Sequence, residues 1–208
     1  MAKDKDERKR PQLRLVVDNA EKRTARPGED EADFIPLDQL VARRDSLRGD
    51  FYAGVEPWQA EAYQALEQYC LARGWEYGLD PFHGRMLVLA AGTVCPEAAG
   101  HDESGQDEVL LYIADDVTGR GLCLTLEMIM PYWSEDDTVM EDALLYGPFF
   151  QYGAFFLEEN RHDSLLDLIY RLALPLYPPQ PTAPFLDRLF AIAAVELREA
   201  LANLAESS

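Results

Sequence analysis

The chain has 208 residues, of which 48% are hydrophobic and 27% are charged, and its net charge at pH 7 is −19. This length allows one domain with a sizeable core plus extensions. Residues 1–33 hold nine basic and nine acidic side chains, so the whole net charge lies on residues 34–208, which contain no lysine. Because phosphates and anionic lipids are bound through Lys and Arg, we expect neither nucleic acid nor a membrane as a partner.

The first 33 residues are predicted to form a flexible charged arm. Charges alternate in sign in "KDKDERKR", the stretch ends in "RPGEDEAD", and its one apolar segment, Leu13–Val17, is a candidate edge strand. An α+β domain is predicted to follow, from residue 34 to residue 176. It opens with a short helix after Pro36, where apolar residues recur at helical spacing.

A strong helix and two hairpins are predicted next. "EPWQAEAYQALEQYCLARG" has an apolar stripe at helical spacing, with Pro57 suited to the first turn and Gly74 to the stop. The turn "PFHG" joins "WEYGLD" to "RMLVLAA", and "DVTGR" joins "EVLLYIAD" to "GLCLTLEMIM". Asp115 and Asp116 lie at the second turn, where aspartate side chains hydrogen-bond nearby amides. We therefore interpret them as turn residues rather than as a metal-binding pair.

The C-terminal part is predicted to alternate helices with one strand. A short helix is expected from Ser134, and "PFFQYGAFFLEEN" is expected to form a strand with aromatic side chains on both faces. "RHDSLLDLIYRLALPLY" is predicted to be an amphipathic helix, whose apolar side is formed by Leu165, Leu168, Ile169, Leu172 and Leu176. Residues 177–184 form a Pro-rich connector. Residues 185–208 are predicted to form a long C-terminal helix that packs on the domain or on a second subunit.

These elements predict the α+β class, with an antiparallel sheet of about five strands and helices packed against it. The three cysteines form no CxxC pair, which indicates reduced thiols and a cytoplasmic location. The N-terminus lacks an apolar signal-peptide region, and the apolar runs are too short to span a bilayer.

Clustered carboxylates are the main candidate for chemistry. Acidic residues from Asp102 to Asp137 would allow a metal-dependent phosphoesterase or nuclease, which needs converging carboxylates to hold its cations. No spacing selects a set, however, and the body lacks the lysine that many such sites use. Cys95 and His101 supply only two of the four ligands of a structural zinc site. We therefore predict no catalytic residue, no metal ligand and no cofactor.

An aromatic segment is the most unusual feature of the sequence. Six aromatic residues fall within "YGPFFQYGAFF", and they are predicted to bind a partner because aromatic side chains dominate interface hot spots: Tyr146, Phe149, Phe150, Tyr152, Phe155 and Phe156. The alternative is that the same side chains pack in the core.

The order of elements resembles the YbjN-type family. The residues that carry the resemblance are the helix ending in Gly74–Trp75–Glu76–Tyr77 with Asp80, the three strands "RMLVLAA", "EVLLYIAD" and "GLCLTLEMIM", and the segment from Phe149 to Leu176. The family resembles type III secretion chaperones in fold, and it implies a small, acidic, non-enzymatic and commonly dimeric protein that binds proteins or peptides. This chain departs from it by the charged arm, the acidic loop at 97–108 and the Pro-linked C-terminal helix.

The favoured function is a non-enzymatic protein-interaction or chaperone-like scaffold. Its acidic surface would steer a basic protein or peptide to the aromatic segment. A homodimer is an alternative form of the same interaction. The metal-dependent enzyme and a structural subunit of a larger assembly remain alternative functions.

Overall fold

The structure is a computed structural model, and it describes residues 35, 37–91, 94, 106–115, 121–130, 143–159, 166–177 and 180–207. The predicted arm, the candidate strand Leu13–Val17 and the first part of the short helix predicted from Ser134 lie outside these residues. Residues 143–145 are helical.

Within the described residues, four α-helices have defined bounds, and the third of them follows its sequence signals. They are α1 (Leu37–Ala42), α2 (Arg44–Gly54), α3 (Pro57–Arg73) and α4 (Ala183–Ser207). Glu56 and Gln59 form a reciprocal capping box at the start of α3, with Pro57 in its first turn. Gly74 ends the helix in the left-handed conformation, with φ of 67°. The predicted helix and its glycine stop are therefore confirmed.

Six strands form one antiparallel sheet, in the order β1-β2-β3-β4-β6-β5. They are β1 (Glu76–Asp80), β2 (Arg85–Ala91), β3 (Gln106–Asp115), β4 (Leu122–Ile129), β5 (Gly153–Glu159) and β6 (Leu166–Leu176). The two predicted hairpins are present, since β1 pairs with β2 and β3 pairs with β4. The α+β class with an antiparallel sheet and a long C-terminal helix is confirmed.

The prediction of an amphipathic helix over residues 161–177 is wrong, because the described part of that segment forms strand β6. Leu168, Tyr170 and Leu172 alternate on one face, and this period-two pattern coexists with a helical spacing of apolar residues in the same segment. Pairing with β4 on one side and β5 on the other decides in favour of the strand. Pro175 is tolerated because the pairing with β5 stops at Leu172, so that side of β6 needs no amide there.

The sheet has two unlike faces, which we call inner and outer. Side chains of the inner face, such as Leu111, Leu126 and Tyr170, share the main core with Leu66 of α3 and Leu189 of α4. Apolar burial of this kind is the dominant stabilising contribution to the fold. The C-terminal helix therefore packs on the sheet of its own chain.

The outer face is partly covered by α1. Leu40 of α1 and Leu47 of α2 lie against Leu87 and Leu110 of the sheet, in a small cluster separate from the main core. The other half of the face carries the outward-pointing side chains of β4, β5 and β6.

The β1–β2 turn is organised by Asp80, a buried carboxylate. Its Oδ1 accepts hydrogen bonds from the amides of Phe82 and His83. Its Oδ2 lies 2.8 Å from Nδ1 of His83 and 2.9 Å from the Arg85 guanidinium. Burial by itself would raise the pKa of Asp80, but the hydrogen bonds and charges of His83 and Arg85 outweigh it and hold that pKa below its usual range.

Candidate interaction surface

The aromatic segment is a turn followed by a strand rather than one continuous strand. Gly147–Phe149 form a 3₁₀ helix, and β5 begins only at Gly153. Pro148 fixes its own φ at a helical value and has no amide for a strand to pair, so the turn precedes the strand. In the described part of the sheet β5 is an end strand, because its only described neighbour is β6.

Three of the six predicted partner-binding residues face the main core. Phe155 is 5% exposed and belongs to the main core, while Phe150 and Tyr146 pack against it from the turn. The ring of Phe150 lies edge-on to Phe155 at 5.0 Å and to Tyr170 at 5.7 Å between centroids. These contacts are the aromatic geometry expected in a core.

The other three aromatic residues lie at the surface. Phe149 is 76% exposed, Tyr152 43% and Phe156 40%. Leu144 and Leu145, just before the turn, are exposed as well. Phe156 lies on the outer face beside Arg171, and Phe149 lies beside Tyr146 of the turn. We call Phe149, Tyr152 and Phe156 together the exposed aromatic surface.

A single carboxylate holds the turn against the C-terminal helix. The amides of Gln151 and Tyr152 donate to Oε1 of Glu196 at 2.9 and 2.8 Å, and the amide of Gly153 donates to Oε2 at 2.9 Å. The hydroxyl of Tyr170 donates to the same Oε2 at 2.7 Å. Four donors on one anion make strong, charge-assisted hydrogen bonds, so the backbone that carries Tyr152 is fixed. We call this arrangement the Glu196 clamp.

The clamp depends on a glycine at position 153. A Cβ there would lie 2.6 Å from the Tyr170 ring and 2.7 Å from Oε2 of Glu196, closer than real Cβ contacts. Burial, then the hydrogen bond and the charge of Glu196, raise the pKa of Tyr170 well above its usual value. Tyr170 is therefore a permanent donor to the clamp at any physiological pH.

Phe156 is supported on the outer face by a polar group. The Arg171 guanidinium lies over the Phe156 ring at 4.7 Å and pairs with Glu127, which also accepts a hydrogen bond from the Tyr112 hydroxyl at 2.9 Å. Burial alone would lower the pKa of Arg171, but Glu127 and Tyr112 raise it, so the guanidinium remains charged. A cation on the ring face fixes the position of Phe156.

The acidic residues from Asp102 to Asp137, proposed for the alternative enzyme function, are described only in part. Asp115 is the last residue of β3, pairs with Leu122 and is exposed, while the turn that follows it lies outside the described residues. Asp102, Asp116 and Glu135–Asp137 lie outside the described residues, as do Cys95, His101 and His162. Within the described ranges, no three His, Cys, Asp or Glu side chains are grouped closely enough to hold a metal ion.

Two further findings bear on the sequence predictions. Cys70 is buried in the main core, and burial, with a smaller contribution from the Glu67 charge, raises the pKa of its thiol to about 12. Among the helices that the structure describes, none combines the length and apolar character needed to cross a membrane.

The residues of the clamp were missed by the sequence analysis, although Glu196 left a signal. It lies three residues after Ala193 and immediately before Leu197, within the buried stripe of α4. A charged side chain at such a position needs a partner, because an unpaired buried charge is costly. The partners themselves lie 26 to 45 residues earlier in the chain and have no local signature.

Comparison with solved structures finds a weak similarity. The chain is similar to the protein in the crystal structure of YbjN, a putative transcription regulator from E. coli, with 15% sequence identity and a TM-score of 0.41. The match covers 66% of this chain and 89% of that chain. No family model matches the chain, and no curated protein does.

Proposed function

We propose that this protein is a non-enzymatic interaction scaffold, which binds a protein or peptide partner through the exposed aromatic surface. The observation that carries the proposal is the exposure of Phe149, Tyr152 and Phe156 on one segment that the Glu196 clamp fixes. Large apolar side chains left in water are costly unless a partner covers them. Tyr146, Phe150 and Phe155, also predicted as partner-binding, act in this proposal as the support beneath that surface.

Preorganisation supports the same function. An anchor residue contributes most when little conformational entropy is lost on binding, and aromatic side chains have only two rotatable bonds. The clamp restrains the backbone at Gln151, Tyr152 and Gly153, and Arg171 restrains the ring of Phe156. The backbone at Tyr152 and the ring of Phe156 are thus held in place rather than carried on a loose loop.

Charge defines the chemistry of the proposed partner. The body contains 29 acidic and ten basic residues and no lysine, so a segment with Lys or Arg beside apolar side chains would be attracted to it. A chaperone-like role is the narrower form of the proposal, in which the partner is an extended segment rather than a folded surface. A second copy of the chain is the alternative occupant, and light scattering at low and high salt would detect it.

Selection of peptides followed by substitution tests the proposal. Peptides rich in Lys, Arg and aliphatic residues would be selected on the wild-type protein, and their affinities measured by fluorescence anisotropy at two salt concentrations. Phe149→Asp and Tyr152→Asp should each weaken binding by at least about tenfold, as for hot-spot residues. Leu71→Asp is the matched control, because Leu71 is 61% exposed on α3, away from this segment. Equal binding by all three variants would refute the assignment of this surface.

A further inference from the structure

Strand β5 has one side without a paired strand in the described part of the chain. Its pairing is with β6, and its other contacts with described elements are chiefly with the 3₁₀ helix. The opposite end of the sheet differs, because β1 is contacted by α1, α2 and α3 and has four of its five residues buried. An unpaired side presents alternate backbone N–H and C=O groups, with which a further strand can pair. The side chains of β5 then decide which strand fits.

The Glu196 clamp holds the first residue of this strand. The amide of Gly153 already donates to Glu196 of α4, so the open part of the edge consists of residues 154–159. The clamp and the pairing with β6 together fix the backbone of β5 before any further strand is added. A binding edge that is already ordered loses little conformational entropy when a partner pairs with it.

On the outer face, β5 ends an apolar row that crosses three strands. Ile129 of β4 lies opposite Ile169 of β6, and Ile169 lies opposite Phe156 of β5. Ile169 is buried in the middle of the row, whereas Phe156 at its end is 40% exposed. Side chains that lie directly opposite each other on neighbouring strands stabilise the pairing of those strands. An added strand would therefore extend this row with an apolar residue opposite Phe156.

Two residues further along β5, the same face is acidic. Glu158 is exposed and lies directly opposite Asp167 of β6. Carboxylates in directly opposed positions on neighbouring strands repel each other. The charge of Glu158 also acts on Arg171, but that guanidinium is already paired with Glu127. A cationic residue on an added strand, opposite Glu158, would reduce the repulsion between the two carboxylates.

We propose that the open edge of β5 binds an extended segment of a partner protein as an additional strand, with Lys or Arg opposite Glu158 and an apolar residue opposite Phe156. The added strand runs antiparallel, as in all five pairings of the described sheet, so its basic residue comes two positions before its apolar one. The β5 strand of a second copy does not fit, because it contains no basic residue. This binding mode goes beyond the function proposed above and shares only Phe156 with the exposed aromatic surface.

Backbone methylation of a designed peptide, with the wild-type protein, is the first test. The probe is a fluorescent peptide with the central sequence Lys-Val-Ile-Val, which places lysine opposite Glu158 and isoleucine opposite Phe156. Methylating one peptide amide at a time should weaken binding at least about tenfold at alternate positions and less than about twofold between them, because only alternate amides of a strand face its neighbour. No binding, or losses without this alternation, would overturn the proposal. The protein is unaltered in this test, so no variant has to fold.

Charge reversal across the added pair is the second test. Glu158→Lys should weaken binding of the same peptide at least about fivefold, and replacing the peptide's lysine by glutamate should restore it. Glu76→Lys, at the exposed first residue of β1, is the matched control and should weaken binding less than about twofold. Equal effects of the two variants, or no rescue by the glutamate peptide, would overturn the proposal.

Phe149→Asp separates this proposal from the function proposed above. Phe149 lies beside Tyr146 of the turn, away from the edge of β5, so its substitution should leave the affinity for the designed peptide unchanged. The same substitution should weaken the peptides selected on the exposed aromatic surface. Loss of the designed peptide's binding in Phe149→Asp would overturn the assignment of that peptide to the edge.

Discussion

The carboxylate of Glu196 accepts a hydrogen bond of 2.7 Å from the hydroxyl of Tyr170, which joins the C-terminal helix to strand β6 of the sheet. The same oxygen, Oε2, accepts a hydrogen bond from the amide of Gly153, and Oε1 accepts hydrogen bonds from the amides of Gln151 and Tyr152. One side chain thus ties three elements together: α4, β6 and the entry to β5. The exposed aromatic surface is positioned by this contact rather than by strand pairing alone.

Substitution of Glu196 by Gln should destabilise the protein. The amide keeps the shape but offers one acceptor oxygen in place of two charged ones, so at least one of the four donors is left unpaired. We expect the free energy of unfolding to fall by about 1–3 kcal/mol, measured by urea denaturation. Glu199→Gln, at an exposed position of the same helix, is the control and should change it by less than about 0.5 kcal/mol.

Alanine at position 153 should disturb the clamp without removing any of its groups. The added methyl would fall against the Tyr170 ring and Oε2 of Glu196, and we expect a cost of about 1–3 kcal/mol from overpacking. Gly147→Ala is the matched control, because a Cβ there meets nothing within 4 Å. Both variants would be compared by urea denaturation. Equal stability of the two would show that the close contact at Gly153 is relieved without cost.

The division of the aromatic segment into core and surface can be tested by two alanine substitutions. Phe155→Ala should lower the free energy of unfolding by about 3–5 kcal/mol, because it leaves a cavity in the core. Phe149→Ala should change it by no more than about 0.5 kcal/mol, as expected for an exposed position. Thermal and urea unfolding of the two variants measure the difference. A large cost at Phe149 would contradict its assignment to the surface.

The parts of the fold that were predictable are those with local signals. Pro57 at the start of α3 and Gly74 at its end act through backbone preferences within one helical turn. Each hairpin is indicated by two apolar runs on either side of a short polar turn. Strand β6 had no such signal. The apolar residues of β6 satisfy both the helical and the alternating pattern. Only the pairing of β6 with β4 and β5 decides between them, and β4 ends well before β6 begins in the sequence.

The surface was predictable in its location but not in its detail. Six clustered aromatic residues are visible in the sequence, yet which of them are buried depends on the turn at Pro148 and on the side of β5 that meets Tyr170. The clamp could not be derived, because its donors are backbone amides, which every residue except proline possesses. Only the position of Glu196 within the apolar stripe of α4 pointed to a partly buried acceptor.

Asp80 should make stability depend on acid pH. Its pKa is lower in the folded protein than the ordinary value of 3.8, through His83 and Arg85 acting against the effect of burial. The folded state therefore binds the proton less readily than the unfolded state, and the stabilisation is present above pH 3.8 and is lost as the pH falls through the folded pKa. Asp80→Asn should be less stable than the wild type at pH 7, and the difference should shrink below about pH 4. Urea denaturation between pH 3 and pH 7 measures it, and a difference that does not vary with pH would contradict this linkage.

The thiol of Cys70 should be inert in the folded protein. Burial, with a smaller contribution from the charge of Glu67, raises its pKa to about 12, so at pH 8 only about one thiol in ten thousand is ionised. Its side chain is also 1% exposed, which denies access to a reagent. Iodoacetamide at pH 8, followed by mass spectrometry of the peptide that contains Cys70, should detect modification only at the rate of unfolding. The protein in concentrated urea is the control and should be labelled rapidly. Rapid labelling of Cys70 under native conditions would show that α3 opens far more readily than the packing of its Tyr69 against Trp75 and Phe190 implies.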